Sequence, residues 1–304
     1  MKRLKYINSW LQLLRVPNFP TVPGDPLAGF ALASLGQSDV SWLRVLPVVG
    51  CSLLLYAVGM IWNDCADYEE DLQHRPQRPL SSGRIGRRTA FVVGVVLALF
   101  GVALAAVAGV WAFGSSLVLL GLVAVYDWGR EERLKGRKAE NLKGQKGNDD
   151  GVPISNIQHS ISSIQQPMED QRSGHTGSLP SRKTSDQRLA TKVKRVISTL
   201  NMGACRGASF LLGAAAARPP NEWSLIVVMA AVGIMLYITI VSLVAADEIK
   251  NSFWSRYVGL MIRSLIVVQA LLCAVGSDGG VWVGAIVLLG WPLSWWLAKR
   301  FYAS

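Results

Sequence analysis

The sequence predicts an all-α integral membrane protein, a multi-span helical bundle of about eight or nine transmembrane helices. Three observations predict it. The 304 residues are 51% hydrophobic, with a mean hydropathy of +0.31. The apolar residues gather in long runs rather than spreading over one amphipathic core. Lys and Arg are concentrated in every second connection between those runs, an asymmetry that membrane insertion produces.

A hydrocarbon layer about 30 Å thick takes roughly 20 apolar residues in a helix. Eight runs qualify: 19–35, 42–62, 89–110, 111–126, 196–217, 223–245, 257–275 and 281–298. The first contains Pro20, Pro23 and Pro26, which membrane helices tolerate where neighbours satisfy the freed backbone groups. The third and fourth almost touch and predict a hairpin with a very short turn. Ahead of them, MKRLKYINSWLQLL is read as a basic interfacial helix leading into the first span rather than a cleaved leader. Arg15, Asp25 and four prolines deny it a clean apolar stretch before any cleavage site.

The formal net charge is +11. With the N-terminus cytoplasmic, the inner segments 1–18, 63–88, 127–195, 246–256 and 299–304 hold nearly all Lys and Arg, and the outer loops hold Arg44 and Arg218. Both termini are therefore expected in the cytoplasm, with an even number of spans. The positive charge faces the bilayer surface and calls for no nucleic-acid partner. Cys51, Cys65, Cys205 and Cys273 match neither a zinc-site nor a CxxC spacing, so no disulfide framework is expected. The chain thus divides into membrane helices over 1–128, a polar stretch over 129–195, and membrane helices over 196–304. The middle stretch, rich in Ser, Gln, Lys and Gly, buries too little apolar area to order itself and is read as a disordered cytoplasmic insertion. His159 and His175 within it have no partners at ligand spacing.

The candidate site comes directly after the second run, in NDCADYEEDLQHRPQRPLSSG (63–83). Asp64, Asp67 and Asp71 are three and four residues apart, so a helix puts them on one face beside Asn63. Three carboxylates together repel unless a cation joins them. Hard oxygen ligands of this kind suit Mg²⁺, which is commonly held by carboxylates together with substrate phosphates. Arg75, Arg78 and Arg84 come next, and arginine matches phosphate geometry with paired donors. Glu69 and Glu70 point elsewhere. Arg206 lies inside the fifth run; it either contacts a charged substrate or pairs with an acid such as Asp25 or Asp127.

The stretch resembles the first aspartate-rich motif of the UbiA superfamily of membrane prenyltransferases, NDxxDxxxD with an RPL-x-SG-like tail. LLRVPNFPTVPGDPLAGFAL is similar to that family's first span and carries Arg15 and Asn18 near its start. VYDWG places Tyr126 where the family has a tyrosine-containing loop, and NMGACRGASFLLGA resembles the fifth span of the UbiA-like proteins of Ebo gene clusters. The resemblance implies a helical bundle with a cytoplasmic-side cavity. There, two aspartate-rich motifs bind a polyprenyl diphosphate through Mg²⁺, and its prenyl group passes to an acceptor, here unidentified. It implies catalytic roles for Asp64, Asp67, Asp71 and Arg206. It implies substrate contacts from Asn63, Arg75, Arg78, Asn18, Tyr126 and Lys250. The second motif is thinned to Asp247 and Glu248 as metal ligands, within LYITIVSLVAADEIKNS. That thinning leaves an alternative, a non-catalytic lipid-binding or transport component of the same fold.

Overall fold

The computed structural model describes residues 2–37, 40–127, 185–248, 253–277 and 279–301. By internal contacts the chain divides into Met1–Arg130 with Lys194–Ser304, and Glu131–Val193. The first unit holds the apolar helices. Helix α1 (Lys2–Leu13) leads into a 3-10 helix (Val16–Thr21) and the short α2 (Gly24–Ala33). A 3-10 turn (Trp42–Arg44) opens α3 (Val45–Ala66), and α4 (Tyr68–His74) comes after it. Next come α5 (Arg87–Ala108) and α6 (Val110–Asp127). After the central stretch stand α7 (Ser185–Ala217), α8 (Leu225–Glu248), α9 (Phe253–Gly276), α10 (Gly280–Leu288) and α11 (Gly290–Phe301).

Among the described residues, six helices are long and apolar enough to cross a membrane: Trp42–Ala66, Arg87–Ala108, Val110–Asp127, Leu225–Ala245, Tyr257–Gly276 and Gly280–Phe301. Less than half of each is buried inside the protein. Large apolar side chains such as Leu99, Val107, Leu271 and Trp282 face outward, as they do where lipid replaces water.

The run 19–35 is not one continuous spanning helix. Pro20, Pro23 and Pro26 lack the donors an α-helix needs, so the chain forms a 3-10 segment and then only ten residues of α2. Helix α7 is long, but Asn201 and Arg206 lower its hydropathy, and it is not among the six. The last run is interrupted at Leu289, because Pro292 cannot donate to the carbonyl four residues earlier. Helix α7 begins at Ser185, inside the stretch read as an insertion; residues 128–184 lie outside the described residues.

Two apolar cores organise the bundle. One joins Ala28, Leu32, Phe210, Ala214, Ile234, Leu265 and Ile266 from α2, α7, α8 and α9. The other joins Phe30, Val48, Leu55, Ala98, Ala105, Leu119, Val123 and Leu212 from α2, α3, α5, α6 and α7. Helices α5 and α6 form the expected hairpin across Gly109. Both pack back on α3: Gly101 meets Leu54 and Gly59 meets Val123. Helix α2 contributes to both cores and crosses α7 at backbone contact. A Cβ on Gly29 would strike the Phe210 carbonyl, and one on Gly213 would strike the Pro26 carbonyl.

Candidate functional site

The aspartate stretch straddles a joint. Asp64 lies in the last turn of α3, Asp67 caps the junction, and Asp71 lies within α4. Backbone bonds from Asp67 N to Asn63 O and from Asp71 N to Asp67 O, each 2.9 Å, carry the helical register through the joint. The three carboxylates are therefore turned inward, at 5%, 5% and 4% exposure, while Glu69 and Glu70 are exposed. Asn63 is buried beside them.

Two guanidiniums sit among the acids. Arg78 Nη1 donates to Asp71 Oδ2 at 2.7 Å and stands 3.6 Å from Asp64 Oδ1. Arg15 Nη2 stands 3.5 Å from the same Asp64 oxygen. Arg15 is also the only non-glycine residue with positive φ (51°) among the described residues, a conformation that costs of order 1 kcal/mol. Its backbone turns the chain between α1 and the 3-10 segment, and that turn brings the guanidinium to Asp64.

The loop from Pro79 to Ile85 fixes the position of Arg78. Leu80 and Ile85 are buried in a small core with Leu13, Ile61, Cys65 and Ala90. Gly83 turns the chain with φ 71°, where a side chain would be strained. Backbone bonds from Ser82 N to Arg78 O and from Ile85 N to Pro79 O close the loop. Arg84 braces the outside, donating to the Gln77 carbonyl at 2.6 Å, Ser82 Oγ at 2.9 Å and Gln12 Oε1 at 3.2 Å. The RPLSSG tail is thus a folded unit that holds one arginine against two aspartates.

A second buried polar cluster lies where α2, α7 and α9 meet. Arg206 Nε is 2.8 Å from Asp25 Oδ2, and Arg206 Nη2 donates to the Thr21 carbonyl at 2.6 Å. Gln269 Nε2 donates to the same carbonyl at 3.0 Å and to Asp25 Oδ1 at 2.6 Å. Asp25 and Gln269 are fully buried. The cluster makes up for a donor that the irregular backbone diverts: Asp25 N bonds to Val22 O, so the Thr21 carbonyl relies on side chains. Of the two roles open to Arg206, the structure displays the ion pair with Asp25.

The remaining sequence candidates divide. Asn18 lies in the 3-10 segment, its N–H donating to the Arg15 carbonyl at 3.0 Å, three residues from the arginine that meets Asp64. Arg75 is exposed, and its carbonyl accepts a bond from Ser81 Oγ. Tyr126 is half-buried near the end of α6, which Asn201 ties to α7 by donating to the Leu122 carbonyl at 2.9 Å. Asp247 and Glu248 close α8, but their side chains lie outside the described residues, as does Lys250. Sequence reasoning notes Arg15 near the start of the first run but does not foresee its contact with Asp64. Its signal is an arginine at the end of the interfacial helix, directly before VPNFP.

Among the described residues, no three His, Cys, Asp or Glu side chains converge as a metal-ligand set. Arg78 lies between Asp71 and Asp64 instead. The donor chemistry still fits a hard divalent cation: the three groups are carboxylates, all buried, and Asp64 Oδ1 accepts no hydrogen bond.

Residues 26–138 match the profile of the UbiA prenyltransferase family. The matched stretch holds the aspartates, Arg78 and the RPLSSG tail. The digeranylgeranylglyceryl phosphate synthase of Sulfolobus acidocaldarius is 30% identical over 130 residues, 43% of this chain and 46% of that protein. The enzyme of that name from Methanocaldococcus jannaschii is 33% identical over 107 residues, 33% of this chain and 36% of that one. The chain thus spans less than half the length of the curated relatives it matches. The structure of a UbiA homolog from Archaeoglobus fulgidus bound to GPP and Mg²⁺ aligns with 96% of this chain and 87% of its own. Its TM-score is 0.50 and its identity 13%. The chain has the UbiA-type helical fold.

Proposed function

We propose that the chain is an intramembrane prenyltransferase, transferring a polyprenyl group from its diphosphate to an acceptor yet to be identified, in a Mg²⁺-dependent reaction. The observation that carries this reading is the buried trio Asp64, Asp67 and Asp71, interleaved with Arg15 and Arg78, at the end of an apolar span. Its likeness to digeranylgeranylglyceryl phosphate synthases supports it. In this reading Asp64, Asp67 and Asp71 hold Mg²⁺, joined by Asp247 and Glu248 from the end of α8. Bound Mg²⁺ supplies positive charge that stabilises the departing diphosphate. Arg75 and Arg78 donate to the diphosphate oxygens, and Asn63, Asn18, Tyr126 and Lys250 line the substrate. The apolar spans house the isoprenoid tail. Arg206 serves from behind, fixing the 3-10 segment that presents Asn18 and Arg15. We place the site on the cytoplasmic side of eight spans, with both termini on that side. The six apolar helices are joined in that count by α7 and by the broken first span. The segment NMGACRGASFLLGA supports placing the chain with the UbiA-like proteins of Ebo gene clusters.

The purified protein, reconstituted in lipid nanodiscs with Mg²⁺, a labelled prenyl diphosphate and a whole-membrane extract that supplies the pool of acceptors, tests this. Release of inorganic pyrophosphate is expected. Asp64→Asn or Asp71→Asn is expected to lower the rate by about 10²-fold or more, and EDTA to abolish it. The thinned second motif favours one other reading, a lipid-binding or transport component. Wild-type protein that binds the prenyl diphosphate but neither releases pyrophosphate nor labels any component of the acceptor extract would establish that reading instead.

A further inference from the structure

We propose that Arg78, seconded by Arg15, is the resident counter-cation of the aspartate cluster. A divalent cation then enters only in company with a diphosphate that takes the guanidiniums over. The inference rests on the functional reading above and concerns how that same site is filled.

Four observations carry it. Arg78 lies between two of the carboxylates, hydrogen-bonded to Asp71 at 2.7 Å and 3.6 Å from Asp64. With it there, no three carboxylates converge among the described residues. The arginines are the accessible members of the cluster: Arg78 and Arg15 keep 24% and 35% of their side chains exposed, against 6–7% for Asp71 and Asp64. The backbone behind Arg78 is anchored through Leu80, Ile85 and the Gly83 turn. The guanidinium can therefore change partners by side-chain rotation while the loop stays in place.

Electrostatics sets the order of events. A metal ion arriving alone must break the Arg78–Asp71 pair. It then leaves a displaced guanidinium, and Arg15, next to a new double positive charge. That repulsion comes on top of the lost charge-assisted hydrogen bond. A diphosphate reverses both terms. Its oxygens offer the guanidiniums paired acceptors of better geometry than a single carboxylate oxygen, and its charge screens the metal from the arginines. The carboxylates are then free for the metal. Metal and diphosphate must therefore bind cooperatively, and by thermodynamic linkage each strengthens the other by the same factor. Removing Arg78 should uncouple them: the acids would accept metal alone, and diphosphate would lose its main donor.

Equilibrium dialysis of Mn²⁺ against the full-length protein in detergent reads this directly, with and without inorganic pyrophosphate. Binding is corrected for the Mn²⁺–pyrophosphate complex in solution. For the wild type, pyrophosphate is expected to tighten Mn²⁺ binding by about tenfold or more, within the usual range of coupling between sites. Arg78→Gln is expected to bind Mn²⁺ alone about tenfold more tightly than wild type and to lose most of the pyrophosphate effect. Arg78→Lys keeps the charge, so it should retain weak binding of Mn²⁺ alone, and it gives the readout if the Gln protein fails to fold. Equal Mn²⁺ affinity in wild type and Arg78→Gln, with the same pyrophosphate effect in both, overturns the proposal and leaves the metal site standing. Absence of Mn²⁺ binding in every form, pyrophosphate present, overturns the metal site and the proposal with it.

Discussion

Arg206→Gln tests the buried cluster most directly. Asp25 is fully buried, and Arg206 provides the opposite charge at 2.8 Å. Removing that charge strands a carboxylate in the apolar interior and takes one of two donors from the Thr21 carbonyl. Breaking a buried pair from one side costs about 3–5 kcal/mol. That corresponds to roughly two to four orders of magnitude in the folded-to-unfolded ratio. Asp25→Asn strands the guanidinium instead, and its cost should be similar. The double variant strands neither charge, so it should be far less damaged than the sum of the two. The coupling should be of order 2 kcal/mol or more. Unfolding in mixed micelles, followed by tryptophan fluorescence, gives all four corners of the cycle. Single variants within about 0.5 kcal/mol of wild type, or singles that simply add, would refute the claim that this pair holds the 3-10 segment and α2 in place.

Packing sets two further outcomes. Leu80→Ala removes a buried anchor of the RPLSSG loop and is expected to cost about 2–5 kcal/mol of stability by the same unfolding assay. Gly213→Val thrusts a branched side chain at the Pro26 carbonyl; the α2–α7 crossing should fail, seen as loss of folded protein on size-exclusion chromatography.

Much of the bundle is legible because hydropathy reports spans of ordinary length. Runs 42–62, 89–110 and 223–245 correspond to α3, α5 and α8, and the near-contact of two runs announces the hairpin at Gly109. The structure of the run 19–35 is not legible. Its prolines predict irregularity, but the partners that make the irregular backbone tolerable, Arg206 and Gln269, are 185 and 248 residues away from Thr21. No local pattern carries such information. The aspartates are legible by spacing, and the inward turn of Asp64, Asp67 and Asp71 obeys helical register. The resting place of the arginines is not. Arg78 reaches the acids only after Leu80 finds its core, and Arg15 only after a left-handed residue turns the chain.

The dependence of α2 on distant helices bears on how the protein is made. During synthesis the segment around Asp25 emerges long before Arg206 or Gln269 exists. It is ten helical residues, preceded by prolines, with an acid that would cost about 3 kcal/mol at the centre of a bilayer on insertion scales. Such a segment cannot settle in lipid unaided. Its final place is taken after α7 and α9 arrive, so a segment made before them is fixed after them.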